Sequence, residues 1–294
     1  MINAFHINWT APFKAMNSNL EYIIDEFEII TTIFSVLEWR MHNGPVKLYT
    51  DVLAAAYYDK LGLLEIWDEV NVDVLSTHKY NINPDIFWAA GKLICLKEEQ
   101  LSSVMLDTDL IVFGNIQKYI RGKQLVAYHR EAVTSKCYCS KEKLSTPPGY
   151  EFNPGWNWNV NACNTAMLHI SSQELKNRYI KESLRFMESN HRKLDNRNTQ
   201  MVFAEQRILV MVANEMNIPI YTFLVHPYSK IDNIFFHNWH RKRTSLMKPG
   251  GRESFCIRWL KRLLDTHPNI KYKIEKIECL EKFLPKVRFT MNQY

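Results

Sequence analysis

Ser103-Val104-Met105-Leu106-Asp107-Thr108-Asp109-Leu110-Ile111-Val112-Phe113 is the stretch on which the reading of this chain turns. An apolar run is interrupted by two carboxylates at i and i+2. In an extended strand that spacing points both side chains to the same face. Two adjacent anions there repel and are costly to bury unless a cation lies between them. The bland alternative is a polar turn after the strand, each Asp capping backbone amides. Leu110 to Phe113 do not look like a solvated turn, so the residues predict a divalent-metal site at the end of a central strand. A phosphate-bearing ligand would be the metal's other partner.

Helix and strand patterns alternate on both sides of this stretch. Apolar residues at helical spacing (Ile23, Ile24, Phe27, Ile30, Ile33, Phe34, Leu37) predict a helix from Leu20 to Met41, ended by Asn43-Gly44-Pro45. Val46 to Thr50 reads as a strand and Ala54 to Leu61 as a helix. Val70, Val72 and Val74 alternate with polar residues as a half-buried strand does. Pro84 opens a helix to about Glu99. Gln124 to His129 and Asn164 to Ile170 read as strands, Ser171 to Ser189 and Thr199 to Met216 as helices, and Ile218 to Phe223 as an edge strand containing a proline. This rhythm predicts an α/β fold, a mostly parallel central sheet flanked by helices. Arg130 to Asn159 breaks the pattern with Pro and Gly punctuation, and a loop of that length is functional or disordered; Trp156 and Trp158 favour an ordered one.

With 294 residues, 46% hydrophobic and 13% aromatic, the chain is a folded globule. Its 9 glycines include neither G-x-G-x-x-G nor a Walker-type G-K-[ST]. The N-terminus has no leader pattern and no run approaches a membrane span, so a soluble cytoplasmic protein is the expectation. The 6 cysteines are scattered and read as reduced thiols; Cys137-Tyr138-Cys139 alone has a metal or disulfide spacing. The net charge of +6 is uneven, with 14 Lys/Arg against 5 Asp/Glu from Arg241 onward. The organisation expected is a catalytic domain over residues 1–251 and a basic helical extension over 252–294. Arg252, Arg258, Lys261 and Arg262 of that extension are candidates for peripheral contact with an anionic membrane surface.

Taken in order, Tyr49-Thr50-Asp51, Phe87 to Lys92, Leu106 to Asp109, Asn164-Thr165-Ala166, Glu205-Gln206 and His237-Asn238-Trp239-His240 form a constellation. From Val46 to Arg243 it resembles the GT-A glycosyltransferases. The similarity is to the retaining group related to bacterial lipopolysaccharide galactosyl/glucosyltransferases and glycogenin (family 8-like). The resemblance implies a GT-A, Rossmann-like sheet and a metal-dependent transfer of sugar from a nucleotide-diphosphate sugar to a hydroxyl of a glycan or lipid-linked acceptor. It implies Asp107 and Asp109 as ligands of Mn²⁺ or Mg²⁺, with His237 as the third. Lys92, Thr108 and Arg243 would contact the donor, and Asn164, Glu205 and Gln206 the sugar near the reacting carbon. Retention at the anomeric carbon also follows from the resemblance; no nucleic-acid partner is expected. The family's H-x-x-G-x-x-K-P-W pattern is altered here, with His240 in place of Gly and Arg243 in place of Lys, so His237 and His240 both remain candidate ligands.

Other readings compete at several positions. Asp51 caps the following helix or touches a nucleoside; Trp9 stacks on a base or is buried; Trp156 and Trp158 face an acceptor sugar or pack the loop. Lys92 and Glu205 are pocket residues or surface positions on helices. Two rival functions share the chemistry: a sugar-phosphate nucleotidyltransferase, and a non-catalytic glycan- or nucleotide-sugar-binding protein of the same fold.

Overall fold

The computed structural model describes residues 1–133, 138–225, 234–238 and 245–291. The strands are β1 (Ala4–Asn8), β2 (Val46–Thr50), β3 (Glu69–Asn71), β4 (Val104–Leu106), β5 (Leu110–Val112), β6 (Leu125–Glu131), β7 (Ala162–Ile170), β8 (Tyr221–Thr222) and β9 (Phe235–His237). Among the described residues they form a seven-stranded sheet in the order β3-β2-β1-β4-β7-β6-β8 and a two-stranded sheet of β5 and β9. β3, β2, β1 and β4 are parallel neighbours, and β8 is parallel to β6. β7 pairs antiparallel with both β4 and β6. The sheet is therefore mostly parallel with one reversed strand, in the layered α/β arrangement expected. All nine residues of β7 are buried, as a strand covered on both faces requires.

Several boundaries differ from expectation, each for a local reason. The first long helix is Glu26–His42 and does not begin at Leu20. Residues 21–25 are not helical: Ile23 is 62% exposed, and although Ile24 is buried in the core, Tyr22, Ile23 and Ile24 all line a cleft. That helix ends at Asn43, and a Cβ on Gly44 would lie 2.8 Å from the Ile2 carbonyl oxygen, so glycine is needed where the chain passes β1. The Val70 alternation stops at Asn71, whose side chain accepts the Val74 amide at 3.1 Å and starts the short helix Asp73–Thr77. Pro84 to Ala89 form turns, and the helix that follows is Ala90–Glu98.

The Glu26–His42 helix is buried along most of its length, with Ile29, Ile30, Ile33, Phe34 and Trp39 fully enclosed. The helix Gly251–Thr266, first of several in the C-terminal part, packs Phe255, Trp259, Leu260 and Leu263 into the same core cluster. Each such side chain stabilises by about 1.5–3 kcal/mol, against about 0–1 kcal/mol for an exposed ion pair. Apolar burial, not charge, therefore holds this helix. Its basic residues are already engaged within the chain. Arg252 pairs with Asp25 and Glu26, Lys261 with Asp265 at 2.8 Å, and Arg258 and Arg262 lie over Phe255 and Phe113. The described cysteines Cys95, Cys139, Cys163, Cys256 and Cys279 are free thiols; Cys137 lies outside the described residues. No helix among the described residues is long and apolar enough to cross a membrane.

Candidate functional site

The sheet places a cleft where its strand order reverses. β1 leads outward to β2 and β3 on one side and borders β4 on the other. In open α/β sheets such a switch point leaves a crevice beyond the carboxyl ends of the two strands. Here a cleft of ≈ 570 Å³ is lined there by Ile7, Asn8 and Trp9 after β1 and by Asp107, Thr108 and Asp109 after β4.

The Asp pair is not in an extended strand. β4 ends at Leu106, and a tight turn follows in which the Leu110 amide donates to the Asp107 carbonyl at 3.0 Å. The two carboxylates were expected on one face of a strand; a turn, not a pleat, brings them together. The apolar residues after it belong to β5, buried against β9. The Asp107 amide donates to the Ala166 carbonyl at 2.7 Å, tying the turn to β7. On the other side Asn238 N–H donates to the Asp109 carbonyl at 3.1 Å, and the β5–β9 register sets His237 opposite Leu110. Ligand atoms of Asp107, Asp109 and His237 consequently all lie within 4.8 Å of one another. His237 Nε2 is 3.4 Å from Asp109 Oδ1. His240 and Arg243 lie outside the described residues.

Lys92 reaches into the cleft from the helix Ala90–Glu98. A Cβ on the preceding Gly91 would stand 3.2 Å from Trp9 Cβ, so glycine lets this helix lie close to the end of β1. Lys92 Nζ is 2.6 Å from Asp107 Oδ1 and 2.9 Å from Glu205 Oε1. Burial disfavours the ammonium, yet Asp107 and Glu205 more than offset it and hold its pKa above the ordinary lysine value. Burial likewise pushes the Asp107 carboxyl up; Lys92 opposes the shift and the Asp109 charge adds to it. Lys92 is accordingly a half-buried ion-pair partner, not a solvated helix residue. Glu205 is 1% exposed and also accepts from Thr165 Oγ1 at 2.6 Å, so it is no surface position.

The helix expected from Thr199 to Met216 is interrupted at Glu205 and Gln206. Asn198–Val202 and Ile208–Glu215 are α-helical, and Phe203–Arg207 between them is a π turn. Adjacent α-helical residues point about 100° apart, and the widened turn lets Glu205 and Gln206 both line the cleft. Tyr179 donates to the Glu205 carbonyl at 2.6 Å and Ser183 to that of Ala204 at 2.8 Å. Gln206 meets Tyr138, whose hydroxyl also lies 3.0 Å from Glu131 Oε2. A phenol has one hydrogen, so both contacts are made only if the Gln206 amide is turned to donate to Tyr138 while Tyr138 donates to Glu131. Asn164 Nδ2 donates to Glu131 Oε1 at 3.2 Å and its Oδ1 accepts the Ala166 amide at 2.9 Å.

Sequence reasoning missed Glu131, Tyr138 and Thr165. Thr165 stood inside the quoted Asn164-Thr165-Ala166 motif; Glu131 and Tyr138 carry no local pattern. Asp51 is a helix cap: it accepts from the Ala54 amide at 3.0 Å and from Thr10. Trp9 lines the cleft, whereas Trp156 and Trp158 pack with Phe152 and Phe203 and do not.

The charge of the lining tests whether a cation fits. Among the described lining residues Glu28, Asp107, Asp109, Glu131 and Glu205 are acidic, and Lys92 is the lysine that faces them. Such a cleft repels a phosphate ester unless further positive charge enters with it. Two carboxylates and an imidazole are donors suited to Mn²⁺, and their clustering fits the group.

Among solved structures, the chain is similar to the glycosyltransferase GlyE of Streptococcus pneumoniae TIGR4 (12% identity, 76% of this chain and 45% of that one, TM-score 0.38). It is also similar to the galactosyltransferase LgtC in complex with donor and acceptor sugar analogs (8%, 75% and 73%, 0.37), and to mouse xyloside xylosyltransferase 1 (12%, 76% and 85%, 0.35). The chain spans less than half the length of the pneumococcal protein. Likenesses this distant carry no argument about activity. No curated protein matches the chain in sequence. The model of a family of unknown function, DUF6734, matches residues 2–277, and the chain belongs to that family.

Proposed function

We propose that this protein is a cation-dependent glycosyltransferase that moves a sugar from a nucleotide-diphosphate sugar to a hydroxyl of a glycan or lipid-linked acceptor. One observation carries the reading: Asp107, Asp109 and His237 converge in an acidic switch-point cleft that also presents Glu205 and Gln206. Mn²⁺ or Mg²⁺ held by these three residues would act as a Lewis acid, neutralising charge on the departing nucleoside diphosphate.

The chain's own residues supply the rest. Trp9 and Asn8 at the end of β1 offer a face and an edge for the nucleoside. Lys92, kept charged between Asp107 and Glu205, adds fixed positive potential beside the diphosphate. Glu205, Gln206 and Asn164 offer hydrogen bonds to sugar hydroxyls. Glu205 is held by Lys92 and Thr165 and is thereby preorganised. Retention of anomeric configuration is what the family resemblance implies. The acceptor reading rests on the cleft, because Arg252, Lys261 and Arg262 are occupied by contacts within the chain.

Incubation with Mn²⁺ and a panel of nucleotide-diphosphate sugars tests the proposal. Donor hydrolysis or transfer that disappears in Asp109→Ala is expected. Absence of turnover with every donor, with wild type and variant binding donor alike, contradicts it. Pyrophosphate release from a nucleoside triphosphate would instead establish the nucleotidyltransferase.

A further inference from the structure

A chain of buried polar groups runs beneath the Asp107–Asp109 turn without touching the cleft. Trp67 Nε1 is 3.3 Å from His6 Nδ1, His6 Nε2 is 3.1 Å from Ser35 Oγ, and Ser35 Oγ is 2.6 Å from the Leu110 carbonyl oxygen. His6, Ser35 and Leu110 are 0% exposed and Trp67 4%. None of the three side chains lines the cleft.

The direction of every bond in this chain is fixed. An indole N–H only donates, so His6 Nδ1 is the acceptor. The neutral ring then carries its hydrogen on Nε2 and donates to Ser35. A serine hydroxyl has one hydrogen, and a carbonyl has none, so Ser35 donates to Leu110. Among the described residues no other hydrogen bond to the Leu110 carbonyl is present outside the strand ladder. The ladder bonds between β5 and β9 fall at Asp109 with Asn238 and at Phe113 with Ile234. Antiparallel alternation therefore makes Leu110 and His237 a non-hydrogen-bonded pair, with the Leu110 carbonyl turned away from β9 into the core. An unpaired carbonyl there would be costly, and the peptide would rotate or shift to relieve it.

We propose that Ser35 and His6 are positioning residues for the cation site. Through Leu110 they fix the turn that carries Asp107 and Asp109 and the register that presents His237. This rests on the cation reading given above. Residues beyond a metal's ligands hold those ligands in geometry, and their loss weakens affinity about 10–100-fold.

Two measurements on the full-length protein test this: Mn²⁺ affinity by calorimetry, and amide hydrogen exchange of residues 104–112 in the metal-free protein. Ser35→Ala removes the final donor, Ser35→Thr keeps a hydroxyl, and Ile33→Val trims the same helix without touching the chain. Ser35→Ala is expected to weaken Mn²⁺ binding at least about 10-fold and to speed exchange of this segment relative to Ile33→Val. Ser35→Thr should lie nearer wild type in both. The proposal is overturned if Ser35→Ala matches Ile33→Val in exchange, or if exchange quickens while Mn²⁺ affinity is unchanged. Should wild type bind no Mn²⁺, the cation reading fails, and exchange in the metal-free protein decides alone whether Ser35 sets the turn.

Discussion

The two walls of the cleft are made by different means. Asp107, Asp109 and His237 sit on a turn and a strand whose backbone groups bond to β7, to β9 and, through Leu110, to Ser35. Across from them Glu131, Tyr138, Asn164 and Gln206 come from four separate segments and hold one another by side-chain hydrogen bonds. The first wall is set by the sheet; the second is assembled by side chains that any new hydroxyl can enter. That difference suits the proposed transfer, in which the diphosphate is constant and the sugar and its acceptor must be selected.

The comparison is broken most decisively at Asp109. Asp109→Ala should lower turnover by at least about 100-fold, equivalent to some 3 kcal/mol of lost charge stabilisation, while the melting temperature changes little. Steady-state kinetics with excess Mn²⁺ measures this. Glu205→Gln strikes where the two walls meet. It leaves the half-buried Lys92 with Asp107 alone, and removing one partner of such a largely enclosed cluster costs up to about 3 kcal/mol of stability, readable by urea unfolding.

Acid probes the underside of the sheet-built wall. Burial lowers the His6 pKa from 6.5 to about 3. Below about pH 6.5 the unfolded chain binds a proton that the folded chain refuses, so this contribution is complete above that pH and is lost as pH falls. The slope is about 1.4 kcal/mol per pH unit, or about 2 kcal/mol by about pH 5. Urea unfolding at the two pH values should show a difference that shrinks by that amount in His6→Gln. The side-chain wall should be more forgiving. Tyr138→Phe removes one hydroxyl shared by Glu131 and Gln206, worth about 1 kcal/mol. It should alter acceptor KM several-fold and leave Mn²⁺ affinity unchanged. Arg252→Ala should change stability by less than about 1 kcal/mol, since Arg252 and Asp25 are exposed and the half-buried Glu26 keeps its pairing with Lys282.

The same difference explains what could be read from sequence. β2, β4 and β7 are largely buried and mostly apolar, and their patterns gave them away. The Asp pair was visible because charge inside such a run is anomalous, although the turn that seats it was not. Glu131 and Tyr138 left no trace, because residues 131, 138, 164 and 206 share no spacing and meet only after folding. The π turn was hidden as well: Phe203 to Arg207 continue an ordinary apolar helix pattern, and the Tyr179 and Ser183 hydroxyls that satisfy its carbonyls lie on another helix. His6 and Ser35 sat unremarked in apolar surroundings, where their pairing depends on the stacking of a helix on the sheet.

The sheet-built wall is proposed to hold a divalent cation for a nucleoside diphosphate. Calorimetry of nucleoside diphosphate binding with and without Mn²⁺, in wild type and His237→Ala, tests it most directly. Linkage requires each ligand to tighten the other by the same factor. One Mn²⁺ per chain is expected, with diphosphate binding strengthened at least about 10-fold by it and that coupling lost in His237→Ala. Diphosphate binding equally tight without metal, and unchanged in the variant, would contradict it.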